Sequence, residues 1–342
     1  MKSTEDAMTE LANRRLVDPR PTATRRWSIA LTALLFCVCG GPAPVTTSPS
    51  GAPSGSSGST AAQSTLAGLV WQPVAPLSVP RSHLGAVSAA ERIYAIGGVV
   101  FGGVEPSSVV ERYDPALDRW ERAADLPVGL DHAAVAADGT HLFVFGGNFA
   151  APSIRSFRFD LASGSWTAVA PLPAPRAAAA AAAIGGRIYV IGGLGSDRRE
   201  VATALAYDPA ADAWDRIADL PTPREHLAVV GYRGLVCALG GHFGRADQTT
   251  LVECYDPQRR TWSDLPPLQR PASDFAAVTI ENEIWAVGDD VQVFDGTRWW
   301  SGPAMPRPRF GVAATVIGRS LYLIGGAARR PSAPGLVDRI VR

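Results

Sequence analysis

Three histidines and one aspartate lie at equivalent places in a recurring pattern. They are His83, His132, His226 and Asp274, each two residues beyond the position at which a Pro-Arg pair recurs along the chain. Imidazole and carboxylate groups together form metal sites. These positions belong to separate repeats, however, and we expect a ring of repeats to hold neighbouring side chains too far apart for one ion. The sequence therefore predicts a polar ring of candidate ligand-binding residues, with no metal site and no cofactor.

Charged side chains gather in two further places, the segment Asp197–Glu200 and the residues beside His226. A guanidinium group can bind a carboxylate through two parallel hydrogen bonds, so an acidic ligand such as a sugar acid suits these places. The alternative is an ordinary solvated loop. The additional candidate ligand-binding residues are Arg198, Arg199, Glu200, Arg224, Glu225 and His242.

The composition excludes some functional classes. The 342 residues include 32 basic and 32 acidic side chains, a formal net charge of +0, so the basic excess of a nucleic-acid-binding protein is missing. The hydrophobic fraction of 46% is sufficient for a folded core. The sequence has no nucleophile–base motif or phosphate-binding loop, which favours a binding module over an enzyme.

A short apolar segment ends in glycine six times along the chain. Such segments, bounded by glycine and polar turns, are typical of buried β-strands. In five copies the glycine is doubled, and in the sixth Gly288 is followed by Asp289. The doubled pairs are Gly97 and Gly98, Gly146 and Gly147, Gly192 and Gly193, Gly240 and Gly241, and Gly325 and Gly326.

An aromatic residue followed by aspartate comes after four of these glycine pairs, and a tryptophan stands six residues beyond each aspartate. These tryptophans are Trp120, Trp166, Trp214 and Trp262. The period of about 48 residues is typical of propeller repeats and of no helical repeat. Trp71 begins the pattern with no strands before it.

The double glycine, the aromatic–Asp pair, the spaced tryptophan and the Pro-Arg joint together resemble the kelch family, from Trp71 onward. The resemblance implies a β-propeller of four-stranded antiparallel blades. In such blades the glycines end the second strand, the aspartate begins the hairpin to the fourth, and the tryptophan packs between blades. The repeated residues are therefore interpreted as structural.

The number of repeats predicts an all-β, six-bladed propeller over residues 68–342. The last repeat lacks an aromatic–Asp pair and a tryptophan, whereas the segment around Trp71 supplies one tryptophan strand. We expect that N-terminal strand to complete the last blade, because closure protects the exposed strand edges.

Two cysteines belong to the fourth blade. Cys237 falls on its second strand and Cys254 on its third, so they face each other if the hairpin is symmetric. An exported protein could join them in a disulfide. Two free buried thiols are the alternative.

The N-terminal residues 1–41 predict export. Arg25 and Arg26 precede an uncharged apolar run from Trp27 to Cys39, the pattern of a secretory signal. A twin-arginine signal, a retained membrane anchor and a lipoprotein acylated at Cys39 are alternatives. Residues 42–67 are rich in Ser, Gly and Pro and predict a flexible linker. The propeller is thus expected outside the cytoplasm, secreted or close to a membrane.

By resemblance, ligands bind at the face formed by the inter-blade joints and the loops after the double glycines. We expect a monomeric binding module for an unknown protein or carbohydrate ligand, with no nucleic acid partner. The alternative is a carbohydrate-active enzyme that resembles the exported sialic acid mutarotases. Glu200 with Arg198, or Glu225 with Arg224, would then transfer protons.

Overall fold

Six four-stranded antiparallel sheets form the blades of a β-propeller. The structure, a computed structural model, describes residue 66 and residues 68–244, 247–328 and 335–342. The predicted all-β, six-bladed fold is confirmed. The predicted leader, and all of the predicted linker except Leu66, lie outside the described residues. Within those described ranges, no helix has the length and apolar character needed to cross a membrane.

Thirty strands occur in the described ranges. In chain order they are β1 (Gln72–Val74), β2 (Arg81–Ser82), β3 (Gly85–Ala89), β4 (Arg92–Ile96), β5 (Val99–Val100), β6 (Val110–Asp114), β7 (Arg119–Arg122), β8 (Ala134–Ala137), β9 (His141–Phe145), β10 (Ser156–Asp160), β11 (Ser165–Ala168), β12 (Ala180–Ile184), β13 (Arg187–Ile191), β14 (Leu205–Asp208), β15 (Ala213–Arg216), β16 (Ala228–Tyr232), β17 (Leu235–Leu239), β18 (His242–Phe243), β19 (Asp247–Gln248), β20 (Val252–Asp256), β21 (Thr261–Asp264), β22 (Ala276–Ile280), β23 (Glu283–Val287), β24 (Val291–Phe294), β25 (Trp299–Ser301), β26 (Arg309–Phe310), β27 (Ala313–Ile317), β28 (Ser320–Ile324), β29 (Ala327–Ala328) and β30 (Val337–Val341).

The blades follow one another along the chain, each from its innermost strand outward. Blades one to six contain β3-β4-β6-β7, β8-β9-β10-β11, β12-β13-β14-β15, β16-β17-β20-β21, β22-β23-β24-β25 and β27-β28-β30-β1. The hydrophobic core is divided into six clusters, and each cluster lies between two neighbouring blades. A single blade therefore cannot bury its own apolar faces.

The N-terminal strand closes the propeller, as predicted. β1 pairs antiparallel with β30, with Gln72 opposite Arg339 and Val74 opposite Val337. This makes β1 the outermost strand of blade six, whose other three strands come from the C-terminal end of the chain. The two ends of the described propeller are thus tied together by backbone hydrogen bonds.

The first glycine of each pair lies against the next blade. A Cβ atom on Gly97 would stand 2.3 Å from the Leu130 carbonyl oxygen, and one on Gly146 would stand 2.3 Å from the Arg176 carbonyl oxygen. Both glycines also have a positive φ, which side chains disfavour. A larger residue here would separate two blades.

Beneath these contacts, fully buried arginines of the Pro-Arg joints pair with acids. Arg81 contacts Glu111 at 2.8 Å, Arg309 contacts Asp338 at 2.8 Å, and Arg224 contacts Glu253 in the same way. The other blades differ at these aligned positions. Blade two has Leu130 and Phe157, blade three has Arg176 and Leu205, and blade five has Ala272 and Gln292.

Arg176 is the exception among the four buried joint arginines. It donates to the Thr203 carbonyl at 2.5 Å, and the described residues place no carboxylate within ion-pair distance of it. Its Nε has no hydrogen-bond partner. Blade three therefore carries a buried guanidinium without the acid that accompanies it in blades one, four and six.

Replacing Arg81 by methionine should lower the free energy of unfolding by about 3–5 kcal/mol, because the Glu111 carboxylate would stay buried without its cation. Arg176→Met is the matched control. This variant also removes a buried guanidinium but leaves no buried carboxylate without its cation. The free energy of unfolding should therefore fall by at most about 1.5 kcal/mol. Equilibrium urea unfolding measures both, and equal losses would contradict this account of the ion pairs.

Candidate functional site

A closed ring of six backbone hydrogen bonds surrounds one end of the central channel. The N–H of each ring residue donates to the carbonyl oxygen of the ring residue before it. His83 donates to Gly311 and so closes the ring, and the six N···O distances lie between 2.7 and 3.2 Å. The ring residues are His83, His132, Ala178, His226, Asp274 and Gly311, one from each inter-blade joint.

All six ring residues have a left-handed backbone, with φ between 48° and 61°. This conformation costs an ordinary L-residue roughly 1–2 kcal/mol. Histidine and aspartate are found there more often than most side chains. The left-handed turn aligns each N–H along the ring, so the ring's hydrogen bonds offset the strain.

Four histidines and one aspartate converge at this end of the channel. The Nε2 atoms of His83 and His226 lie 3.5 and 3.3 Å from Oδ1 of Asp274. His242, from the loop after Gly241, places its Nε2 3.4 Å from Oδ2 of the same carboxylate. We call His83, His132, His226, His242 and Asp274 the channel-mouth cluster.

One expectation about these residues was wrong. Ring nitrogens of His83, His132 and His226 all lie within 4.8 Å of one another, although we expected separate repeats to hold them too far apart for one ion. The physical reason is the hydrogen-bonded ring. Because a direct backbone hydrogen bond joins consecutive ring residues, the ring is narrow and its side chains meet.

The opposite nitrogen of each of these imidazoles contacts the residue that precedes it in the chain. Nδ1 of His83 lies 3.1 Å from the Ser82 hydroxyl, Nδ1 of His132 lies 3.0 Å from Asp131, and Nδ1 of His226 contacts Glu225. A carboxylate only accepts hydrogen bonds, so Nδ1 of His132 and of His226 donates. The neutral form of each ring then keeps its lone pair on Nε2.

Aromatic and cationic groups extend the cluster toward the surrounding loops. Phe149 stacks on His132 with centroids 4.8 Å apart, and the Arg198 guanidinium lies over the Phe149 ring at 4.6 Å. Gly311 leaves space for an imidazole, since a Cβ there would stand 2.8 Å from Nε2 of His83. A glycine in the ring thus permits the position of His83.

Behind the cluster, the channel is narrow and apolar. The cavity of about 180 Å³ is lined by four residues of the cluster and by small residues of the innermost strands such as Ala86, Ala180, Ala228 and Ala313. The polar groups are therefore concentrated at one end, where the side chains of the cluster are between 11% and 24% exposed.

Burial controls the ionisation of the cluster. Burial lowers the pKa of His226 from 6.5 to about 3, against the opposing charge of Asp274. Burial also lowers the pKa of His132, although its hydrogen bond with Asp131 opposes this. For Asp274, burial alone would raise the pKa, but the hydrogen bond with His83 and the charges of the nearby histidines hold it well below its usual range. Near neutral pH, His132 and His226 are neutral and Asp274 is charged.

The structure separates the other predicted charged residues. Arg224 is inside the blade, where Glu253 and the carbonyl groups of Gly240 and Ala238 surround its guanidinium, so it does not face a ligand. Glu225 belongs to the channel mouth through its contact with His226. Arg198, Arg199 and Glu200 lie in the loop after Gly193, and of these Arg198 reaches the cluster through Phe149.

The two cysteines of blade four are joined in a disulfide. Cys237 of β17 and Cys254 of β20 are directly opposite each other in the strand register, and their sulfur atoms are bonded. Both side chains are fully buried. The bridge joins the second and third strands of blade four.

Four exposed apolar side chains lie at the channel-mouth end of blades one, two and four. Phe101 is 61% exposed, Val104 85%, Ile154 43% and Phe243 53%. All four follow a double glycine, three in loops and Phe243 in the short strand β18, at the same end of the blades as the hydrogen-bonded ring. We call these four residues the rim.

Sequence reasoning missed Asp131, Ser82 and Phe149. Asp131 accepts hydrogen bonds from His132 and from the Phe149 backbone, so it links the ring to a loop. The sequence did contain one clue to Ser82 and Asp131. Each immediately precedes a ring histidine in the chain, as Glu225 does.

Proteins with kelch repeats match this chain. The family model described as "KLHDC2/KLHL20/DRC7 Kelch-repeats domain" matches residues 82–296. Kelch domain-containing protein 7A of Mus musculus is 40% identical over 82 residues, which is 23% of this chain and 10% of that protein. Kelch-like protein 25 of Homo sapiens is 36% identical over 84 residues, which is 22% of this chain and 14% of that protein. The match therefore spans a small part of each relative's length.

One solved structure has a similar fold. "Structure of YjhT" superimposes with a TM-score of 0.66 at 16% sequence identity, over 78% of this chain and 96% of that chain. At this identity the similarity shows the fold alone.

The pKa of His226 predicts a pH-dependent stability. The unfolded chain protonates this imidazole near pH 6.5 and the folded protein only near pH 3, so the free energy of unfolding should fall as the pH is lowered from 7 to 4. The slope from this group approaches about 1.4 kcal/mol per pH unit. Urea unfolding at a series of pH values measures this dependence. His226→Gln should flatten the plot of the free energy of unfolding against pH, whereas His141→Gln, at the other end of its blade, should leave the plot unchanged. Superimposable curves for wild type and His226→Gln would contradict the assignment.

Proposed function

Because the chain belongs to the kelch-repeat family, we propose that it is an exported protein-binding module whose recognition surface is the rim around the channel mouth. Kelch propellers are commonly protein-binding modules. The proposed position of the binding surface rests on the exposed apolar side chains of the rim. Residues 1–41 act as the leader, residues 42–67 as the flexible linker and residues 68–342 as the binding propeller.

The exposed apolar rim is the observation that carries this proposal. Large exposed apolar patches on a folded protein mark interaction sites. Phe101 and Phe243 come from loops of different blades, 61% and 53% exposed, and both lie at the channel-mouth end. Aromatic anchors of this kind dominate the binding energy of protein interfaces.

Charged groups surround these apolar anchors. The loop after Gly193 carries Asp197, Arg198 and Arg199, and all three are exposed. A polar periphery around an apolar centre is the usual composition of a protein interface. The alternative, a carbohydrate-active enzyme, has weaker support, because Arg224 is committed to Glu253 inside its blade and cannot take part in proton transfer at the surface.

Export is supported by two independent features. The leader has the pattern of a secretory signal, and the propeller contains the Cys237–Cys254 disulfide. Disulfides persist in oxidising compartments and are rare in the cytoplasm.

Photo-crosslinking tests the recognition surface. With p-benzoylphenylalanine in place of Phe101 or Phe243, irradiation of cells that express the full chain should give the same discrete protein adduct from both positions. The matched control is Leu117, which is 63% exposed but lies in the turn between β6 and β7, at the other end of its blade. It should give no adduct. An equal adduct from Leu117, or none from the rim, would reject the rim as the binding surface.

A reporter fusion tests export. β-Lactamase joined after Arg342 should make a bacterial host resistant to ampicillin, since the enzyme protects cells only from outside the cytoplasm. The same fusion without residues 1–41 should leave the host sensitive at equal expression. Resistance that survives the deletion would disprove the role of these residues as a leader.

A further inference from the structure

We propose that the channel-mouth cluster binds one divalent first-row metal ion of the zinc class, through Nε2 of His83, His132 and His226 together with the carboxylate of Asp274. This site is independent of the proposed recognition of a protein at the rim.

The distances between ligand atoms carry the proposal. In a tetrahedral zinc site with bonds of about 2.0–2.1 Å, neighbouring ligand atoms are about 3.4 Å apart. Oδ1 of Asp274 lies 3.3 Å from Nε2 of His226 and 3.5 Å from Nε2 of His83. The nitrogens of the three histidines are within 4.8 Å of one another. The His83 and His132 rings are stacked, with their planes inclined by 23°, so these side chains would rotate to direct three imidazole nitrogens and one carboxylate oxygen at a single ion.

The groups behind the ligands have the arrangement that metal-binding histidines use. Such a histidine usually donates its second N–H to a carboxylate, which fixes the tautomer and increases the basicity of the ligating nitrogen. Asp131 does this for His132, and Glu225 does it for His226. Both contacts leave Nε2 without a proton in the neutral ring, so that nitrogen can act as a ligand.

The charge of the cluster also favours a cation. The carboxylates of Asp131, Glu225 and Asp274 each contact an imidazole there. The ion-pair partners of Asp274 are three histidines, His83, His226 and His242. Imidazole nitrogen with one carboxylate suits zinc, nickel, iron or copper rather than calcium or magnesium, which prefer oxygen ligands.

His242 distinguishes this site from a closed structural centre. It belongs to the loop that carries Phe243, its side chain is 24% exposed, and its Nδ1 has no hydrogen-bond partner. It contacts the other oxygen of Asp274. An ion held by the three ring histidines and Asp274 would therefore have a fourth imidazole beside its carboxylate ligand.

Calorimetric titration of Zn²⁺ into the untagged, chelator-treated full chain tests the proposal. We expect binding of one ion per chain. Asp274→Asn, which preserves the side-chain volume, and His226→Asn should each weaken the affinity by at least about 100-fold. Glu225→Gln should weaken it by about 10- to 100-fold, the effect typical of a residue that orients a ligand. A Co²⁺-loaded sample should show the intense visible absorption of a tetrahedral centre.

The fifth histidine provides the matched control. His141 also contacts two carboxylates, those of Asp138 and Asp160 at 3.3 and 3.4 Å, but lies at the other end of its blade. His141→Ala should bind Zn²⁺ like the wild type. Circular dichroism establishes that each variant is folded. No stoichiometric binding by the wild type, unchanged affinity in folded Asp274→Asn, or equal loss in His141→Ala would overturn the proposal.

Discussion

The ring of six backbone hydrogen bonds at the channel mouth is the constraint on which the rest of the site depends. It joins each blade to the next by main-chain atoms alone, so the side chains of the ring are free to serve another purpose. It also sets the diameter of the channel mouth, because consecutive members are separated by one hydrogen bond. Side chains from blades one, two, four and five meet there for this reason.

A second constraint is the close contact of a glycine with a carbonyl group of the next blade, which occurs in all blades except blade five. The close approach excludes a Cβ atom at Gly97 and Gly146 and brings buried arginines to the interior. A buried guanidinium requires an acid or a set of carbonyl groups, since desolvation of an unpaired charge is costly. The repeats show several solutions: ion pairs in blades one, four and six, an apolar pair in blade two, and Ala272 with Gln292 in blade five.

The recessed cluster and the exposed rim lie at the same end of the blades but differ in chemistry. The cluster is polar, partly buried and held by the ring, whereas the rim is apolar and belongs to the loops. The short strand β18 connects them, because His242 contacts Asp274 and the adjacent Phe243 faces solvent. On the proposals above, a protein that covers the rim also covers the metal site, and the loop of His242 is where each could affect the other.

The sequence by itself determined the fold, because the double glycines, the Pro-Arg joints and the spaced tryptophans encode contacts within a blade or between neighbours. It also determined the six blades and the closing strand, through the missing tryptophan of the last repeat and the extra Trp71. Only the tertiary structure decided what the aligned residues do. The distance between His83, His132 and His226 depends on the radius of a ring that closes over nearly the whole propeller, and the burial of Arg224 depends on Glu253 in a strand far along the chain. Local patterns specify positions along the chain, whereas convergence at an axis is a property of the closed ring.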